Sequence, residues 1–322
     1  WSLGDYFKKE AIEWSWEFLT SKDWLGLDPK RIYITVFQGD DSAPLDEESV
    51  KLWQEQFAKV NITAELDKEG KWTSENVRIF ALPAEDNWWG LNIGPCGPCS
   101  EMFYDTRPEE GFTELTFDEL VDNGKFFEVW NDVFMEFDKD AAGKLTPLEK
   151  KNVDTGMGLE RTVAVLNGEK EVFDIEEFAV LFEKISELCD KKYEDNKSAF
   201  RIVADHVRAA AFILGDEKGV QPSNVDQGYI LRRLIRRAVR YGKQLGIEEV
   251  FTSKIAEVVI KQMADVYPEL KNNKDFIINQ LVLEEEKFAH TLENGLKQLG
   301  KLQESKKEKK QESKKTIIKS VS

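Results

Sequence analysis

The sequence predicts an α+β protein in which a sheet-bearing region is followed by an all-helical one. Three observations carry that prediction. Apolar side chains alternate with period two in "KFFEVWNDVFMEFD" (125–138), and β-branched and aromatic residues crowd "RIYITVF" (31–37) and "VRIFAL" (77–82). Helical spacing of apolar positions fills residues 5–20 and 46–60. Beyond Asp174 the strand signals vanish and helical patterns follow at roughly 174–193, 198–214, 225–245, 252–266 and 274–300.

Taken in order, Phe7, Ala11, Trp14 and Phe18 form one face of the first helix. The stretch 31–37 is a strand, 46–60 a charged amphipathic helix and 77–82 a second strand. "GPCGPCSEMFYD" (94–105) reads as two Gly-Pro turns running into an aromatic strand. In 125–138 the alternation places Phe127, Val129, Val133, Met135 and Phe137 on one side, with Asn131 among them. A polar amide in an apolar row must be hydrogen-bonded or must await a ligand. "TPLEKK" reads as a turn, after which a strand ends at Asp154 and a helix begins near Gly158. The polar "YEDNK" (193–197) marks a boundary, dividing the chain into 1–195, a helical 196–300 and a lysine-rich 301–322 that is a solvated helix extension or a disordered tail.

The 322 residues are 41% hydrophobic, enough for about two domains with real cores. The formal net charge of −16 repels polyanions, so any nucleic-acid contact has to come from a local basic surface. No stretch approaches the roughly 20 apolar residues of a membrane span, and no signal segment opens the chain. Cys96, Cys99 and Cys189 are too few for a disulfide framework, so a soluble, cytoplasmic protein is expected. The chain opens at Trp1, and further sequence is expected upstream.

"NVDTGMGLERTVAVL" (152–166) places an aspartate, two glycines and an arginine at the mouth of an apolar helix. Glycines at a strand-to-helix junction admit a ligand close to the backbone, and the helix N-terminus favours negative charge. Arg161 would lie in the first turn, where a guanidinium holds a phosphate bidentately, and Asp154 could receive a cationic amine. The alternative is a tight turn at Gly156 and Gly158 with Arg161 paired to Glu160 or Asp154.

The segment resembles the third signature motif of class II aminoacyl-tRNA synthetases, in the form found in the alanine–tRNA ligase family. "LGDYFKKEAI" (3–12), "DNWWGLNIGPCGPCSEMFYD" (86–105), "VWNDVFMEF" (129–137) and "RIVADHVRAAAFILGD...QPSNVDQGYILRRLIRRAVRYG" (201–242) resemble that family in the same order. The resemblance implies a class II antiparallel-sheet catalytic core, here incomplete, followed by an all-helical tRNA-recognition domain. It implies that ATP and L-alanine form alanyl-adenylate and that tRNA(Ala) then takes the alanyl group, with Mg2+ as the ion. Asp154 matches the carboxylate for the substrate ammonium, and Gly156 and Gly158 the backbone that cradles the adenylate. Arg161 matches the arginine on ATP phosphate. Trp89 matches the aromatic wall, and Asn131 and Val133 the strand lining the amino-acid pocket. Glu101 and Glu128 are read as structural or solvent-facing rather than metal-side carboxylates.

The match begins at the tail of the second class II motif, so that motif's ATP-binding arginine and the whole first motif are expected to lie outside the chain. One methyl or hydroxyl separates alanine from glycine and serine, a difference worth only ~10- to ~200-fold in binding, so editing is expected of the full enzyme. No HxxxH metal signature occurs here. Cys96 and Cys99 lack a second ligand pair, and zinc is not expected.

In 229–243 an apolar stripe of Ile230, Leu231, Leu234, Ile235 and Ala238 is flanked by Arg232, Arg233, Arg236, Arg237, Arg240 and Lys243. Such a helix is either solvated and paired with acidic neighbours or an RNA footprint. The resemblance points to the acceptor stem of tRNA, with Asn224 matching a residue that reads its G·U pair. His206 receives no role. A non-catalytic, synthetase-derived tRNA-binding or regulatory protein is the competing reading, and composition leaves the oligomeric state open.

Overall fold

A mixed seven-stranded sheet organises the first of the two units into which the chain divides, Trp1–Ile175 and Glu176–Ser322. The computed structural model describes residues 2–112, 114–293 and 295. In unit one, α1 (Lys8–Thr20), β1 (Ile32–Phe37), α2 (Glu47–Lys59), β2 (Glu65–Asp67) and β3 (Val77–Leu82) come first. Then follow α3 (Ala84–Asn87), β4 (Trp88–Gly90), β5 (Gly94–Asp105), α4 (Phe117–Asp122), β6 (Phe126–Lys139), β7 (Leu145–Met157) and α5 (Leu159–Asn167).

The strand order is β2-β3-β1-β5-β6-β7, with β4 paired to β5. The expected antiparallel sheet is corrected here: β1, β2 and β3 run parallel, and only the pairs made by β5, β6 and β7 are antiparallel. The chain leaves β1 through α2 and returns to β1 as β3, and a helical crossover delivers the returning strand in the same direction. All six residues of β1 are buried, which is why "RIYITVF" shows no alternation. Asp46 accepts from the Ser49 amide to cap α2 and pairs with buried Lys8 at 2.7 Å, tying the two helices that pack through Trp16 and Phe57.

Two stretches read as turns are strand. "GPCGPC" opens β5, because Gly97 lets the β6 backbone approach so closely that a Cβ there would stand 1.9 Å from the Phe134 carbonyl oxygen. "TPLEKK" lies within β7, where residues 148–151 bulge between the pairs Met135↔Asn152 and Phe137↔Pro147. β7 is the last strand of the order, and an edge position tolerates Pro147 without a ladder amide. The strand runs on to Met157, past the expected end at Asp154.

Unit two contains α6 (Glu176–Cys189), α7 (Lys197–Gly215), α8 (Asp226–Leu245), α9 (Thr252–Met263) and α10 (Pro268–Asn272), and residues 274–293 are helical. It has no strand among the described residues. The break falls at Ile175/Glu176 rather than at 195/196, because α6 buries Phe178, Leu181, Phe182 and Ile185 and stacks Phe182 on Tyr193, 4.2 Å between centroids. Among the described residues no helix is long and apolar enough to cross a membrane. The lysine-rich 301–322 lies outside them.

Candidate active site

Four strands bring one residue each to a common level. Thr35 on β1 is the register partner of Glu101 on β5, Glu101 of Asn131 on β6, and Asn131 of Gly156 on β7. Cross-strand partners project from the same face, so the row is contiguous. The next level on that face is Cys99, Val133 and Asp154.

Polar contacts run along the row. The Asn131 Nδ2 donates to Glu101 Oε1 at 3.1 Å, Thr35 Oγ1 lies 3.5 Å from Glu101 Oε2, and Asn87 Nδ2 donates to Thr35 Oγ1 at 2.8 Å. Burial pushes the Glu101 carboxyl up to about 8, with the charges of Glu128 and Asp86 adding to it. Asn131 Oδ1 is buried without a hydrogen-bond partner, the kind of orphan that calls for an explanation.

A bulge in β6 decides which carboxylates join this face. Met102 pairs with Trp130 but Phe103 pairs with Glu128, so Val129 is the extra residue. The strict alternation expected from Phe127 to Phe137 therefore breaks, and Glu128 shares the face of Asn131 in place of Val129. Arg161, in the first turn of α5, pairs with Glu128 at 2.9 Å. Gly158, the N-cap, keeps the space for it: a Cβ there would lie 2.7 Å from Arg161 Nε. Glu101, Glu128 and Arg161 line a cavity of about 620 Å3, with Phe103, Phe117 and Phe127 as apolar wall and Glu85, Asp86, Asp118 and Asp122 adding acid.

The expected site residues fall into different places. Arg161 lies in the cavity, and Asn131 reaches it through Glu101. Gly156 has no atom within 4 Å of a hypothetical Cβ, which leaves its backbone open to a ligand. Asp154 and Val133 share the sheet face without lining the cavity: Asp154 accepts from the Thr155 amide at 3.0 Å, and Val133 packs with Cys99 and Met135. Trp89 lies on β4 opposite Gly97, 43% exposed. Glu101 and Glu128 were expected to be structural or solvent-facing, and both are pocket wall. No local signal marks the bulge that brings Glu128 there.

The opposite face holds a second buried acid. Asp132 accepts from Ser15 Oγ at 2.6 Å and from Thr155 Oγ1 at 2.8 Å, and burial pushes its carboxyl up to about 6.

In unit two, α8 buries Leu231, Ile235, Ala238, Val239 and Gly242, while Ile230 of the expected stripe is 50% exposed. Its arginines separate into two kinds. Arg236 pairs with the buried Glu284 at 2.6 Å and lies over Phe288, and Arg232 donates to Asn224 Oδ1. Arg233, Arg237 and Arg240 have no carboxylate partner among the described residues and line a cavity of about 480 Å3 with His206 and Ile230. His206 Nδ1 lies 2.8 Å from Asp205 Oδ2.

Residues 1–321 match the family described as tRNA synthetases class II (A). The chain belongs to that family. Its relatives include proteins named alanine–tRNA ligase: one from Treponema pallidum is 48% identical over 300 residues, covering 92% of this chain and 47% of the relative. One from Treponema denticola is 47% identical over 284 residues, 86% and 44%, and one from Borrelia hermsii 42% over 308 residues, 94% and 49%. This class II synthetase chain thus spans under half the length of those curated relatives. Within it, the class II match takes in both the four-strand row and the arginine face of α8.

Proposed function

We propose that this chain carries the adenylate-forming site and an acceptor-stem surface of an alanine–tRNA ligase, in which L-alanine is activated by ATP and passed to the 3′ end of tRNA(Ala). The observation that carries the reading is the Thr35–Glu101–Asn131–Gly156 row ending beside Arg161. In-line displacement at phosphorus requires positioning and charge neutralisation, and no general base need come from the protein.

The roles follow from charge and place. Arg161 exchanges Glu128 for an ATP phosphate, and Gly156 and Gly158 let the adenylate lie against the backbone. Asp154 takes the alanine ammonium, Asn131 its carboxylate, and Val133 with Trp89 limits the room around the methyl group. Among the described residues no three His, Cys, Asp or Glu side chains cluster as a metal cage. Mg2+ needs only one or two carboxylates besides nucleotide phosphates, and Glu128, once released by Arg161, fits that demand. The ion would neutralise phosphate charge.

Unit two, with Arg232, Arg233, Arg236, Arg237 and Arg240 and with Asn224 at the start of α8, supplies the tRNA surface, and the three free cysteines fit a reducing cytoplasm. The test is ATP–pyrophosphate exchange by this chain. With the first class II motif and the second motif's arginine expected outside the chain, exchange is expected to be slow, to depend on L-alanine and to be absent with leucine. Exchange as fast with leucine as with L-alanine overturns the reading.

A further inference from the structure

We infer that Glu101 is the positioning residue of the amino-acid pocket: it decides which end of the Asn131 amide faces the substrate, without touching substrate itself. The inference deepens the proposed function and rests on its assignment of Asn131 to the alanine carboxylate.

The geometry begins with an asymmetry. The Asn131 amide is held from its nitrogen end alone, Nδ2 to Glu101 Oε1 at 3.1 Å, while Oδ1 is buried and unpartnered. A half-turn of the amide exchanges the two ends at no cost in shape. What tells them apart is Glu101. As a carboxylate it can only accept, so it holds Nδ2. Only as a carboxylic acid can it also donate its O–H to Oδ1, which turns both N–H groups of Nδ2 away from it.

Oδ1 is the orphan in the first state and Nδ2 would be in the second, but only the second offers a full donor pair to a carboxylate or acyl oxygen. Glu101 is itself held in place by Thr35, whose hydroxyl is in turn occupied by Asn87. The charged or titratable groups around it are Glu128 on β6, Asp86 on α3, Arg161 on α5 and Cys99 on β5. Burial and the two acids oppose ionisation and outweigh Arg161, which is why the acid form persists up to about pH 8.

The experiment is calorimetric titration of the chain with 5′-O-[N-(L-alanyl)sulfamoyl]adenosine, a non-reacting mimic of the adenylate, and separately with ATP. Glu101→Ala is expected to weaken the mimic about 10-fold or more and ATP less than about 3-fold, the loss of one hydrogen-bonded orientation. Equal losses for both ligands, or none for either, overturn the inference. Should Glu101→Ala fail to fold, as judged by its thermal melt, Glu101→Gln decides through pH. The mimic's own amine titrates with either protein, so the ratio of parent to Glu101→Gln affinities isolates the carboxyl. That ratio is expected to fall as pH rises through 8, and a flat ratio overturns the inference. A parent chain that binds neither mimic nor ATP brings down the proposed function itself, whereas a parent that binds both and a Glu101→Ala variant that matches it remove only the role of Glu101.

Discussion

Arg161 and Glu128 form an ion pair at 2.9 Å across the mouth of the cavity, from the first turn of α5 to the bulged segment of β6. Both side chains keep contact with solvent, at 41% and 26% exposure, so the pair is readily exchanged for a stronger one. A phosphate accepts two parallel bonds from a guanidinium, and ATP is expected to take Arg161 from Glu128. Arg161→Ala should weaken ATP binding by about 10- to 100-fold, as expected for the loss of a charge-assisted hydrogen bond. Arg161→Lys should restore little, because an ammonium lacks the fork. Calorimetry with ATP measures both, and a lysine variant equal to the parent would remove the bidentate role.

Asp154 faces Val133 across β6 and β7, one level beyond Asn131, and its carboxylate accepts from the neighbouring amide of Thr155. Asp154→Asn removes charge and keeps shape. The adenylate mimic is expected to lose about 10-fold or more while ATP is little affected, since only the mimic carries an ammonium group. Parallel losses for the two ligands would exclude Asp154 from the amino-acid end.

Asp132 gives a pH dependence of stability. Its folded carboxyl titrates near 6, above the ordinary 3.8, so the folded state binds the extra proton between those values. The contribution is fully present below 3.8 and is lost as pH rises through 6. Asp132→Asn keeps both hydroxyl partners, because Nδ2 can donate to Ser15 Oγ while Oδ1 accepts from Thr155. Relative to the parent, the variant should therefore gain up to about 3 kcal/mol between pH 4 and pH 7. Urea midpoints at the two pH values check it, and a pH-independent difference would count against the titration.

The arginines of α8 divide into two that are already partnered, Arg232 and Arg236, and three exposed ones, and substitutions should separate them. Arg236→Glu strands the buried Glu284 and is expected to lower the melting temperature. Arg233→Glu with Arg237→Glu should leave stability near the parent value, weaken tRNA binding, and reduce the slope of log affinity against log salt by about one for each phosphate no longer neutralised. An unchanged slope would take this face out of the RNA interface.

Gly97→Ala tests whether "GPCGPC" pairs as a strand. The added methyl would stand 1.9 Å from the Phe134 carbonyl, so β5 and β6 must separate locally. A loss of about 1–3 kcal/mol in denaturant unfolding is expected. A neutral substitution would mean that the two strands are not in this register.

Much of the fold was legible in the residue order. The helices at 8–20, 47–59 and 197–215 and the strands at 32–37 and 77–82 fall where apolar spacing predicts them, because each buries one continuous face or row. The parallel pairing of β1 and β3 was not legible, since it depends on the side of the sheet to which α2 returns. Nor was the strand at "GPCGPC", where glycine serves close backbone approach rather than a turn. In the site, Asn131 stood out as an amide in an apolar row. Glu101 did not, because nothing near it in sequence tells that Thr35 and Asn131 are its neighbours.

Residue order by itself therefore determined the longer helices, the two β-branched strands, the strand-to-helix junction near Gly158 and the identity of the charged groups, because spacing and side-chain chemistry are local properties. Only the tertiary structure decided which of those groups meet. Register between strands far apart in the chain set Glu101 against Asn131, and the bulge at Val129 brought Glu128 to the same face, against Arg161. A single inserted residue turns side chains to the other face of a sheet, and period-two reading has no means of seeing it.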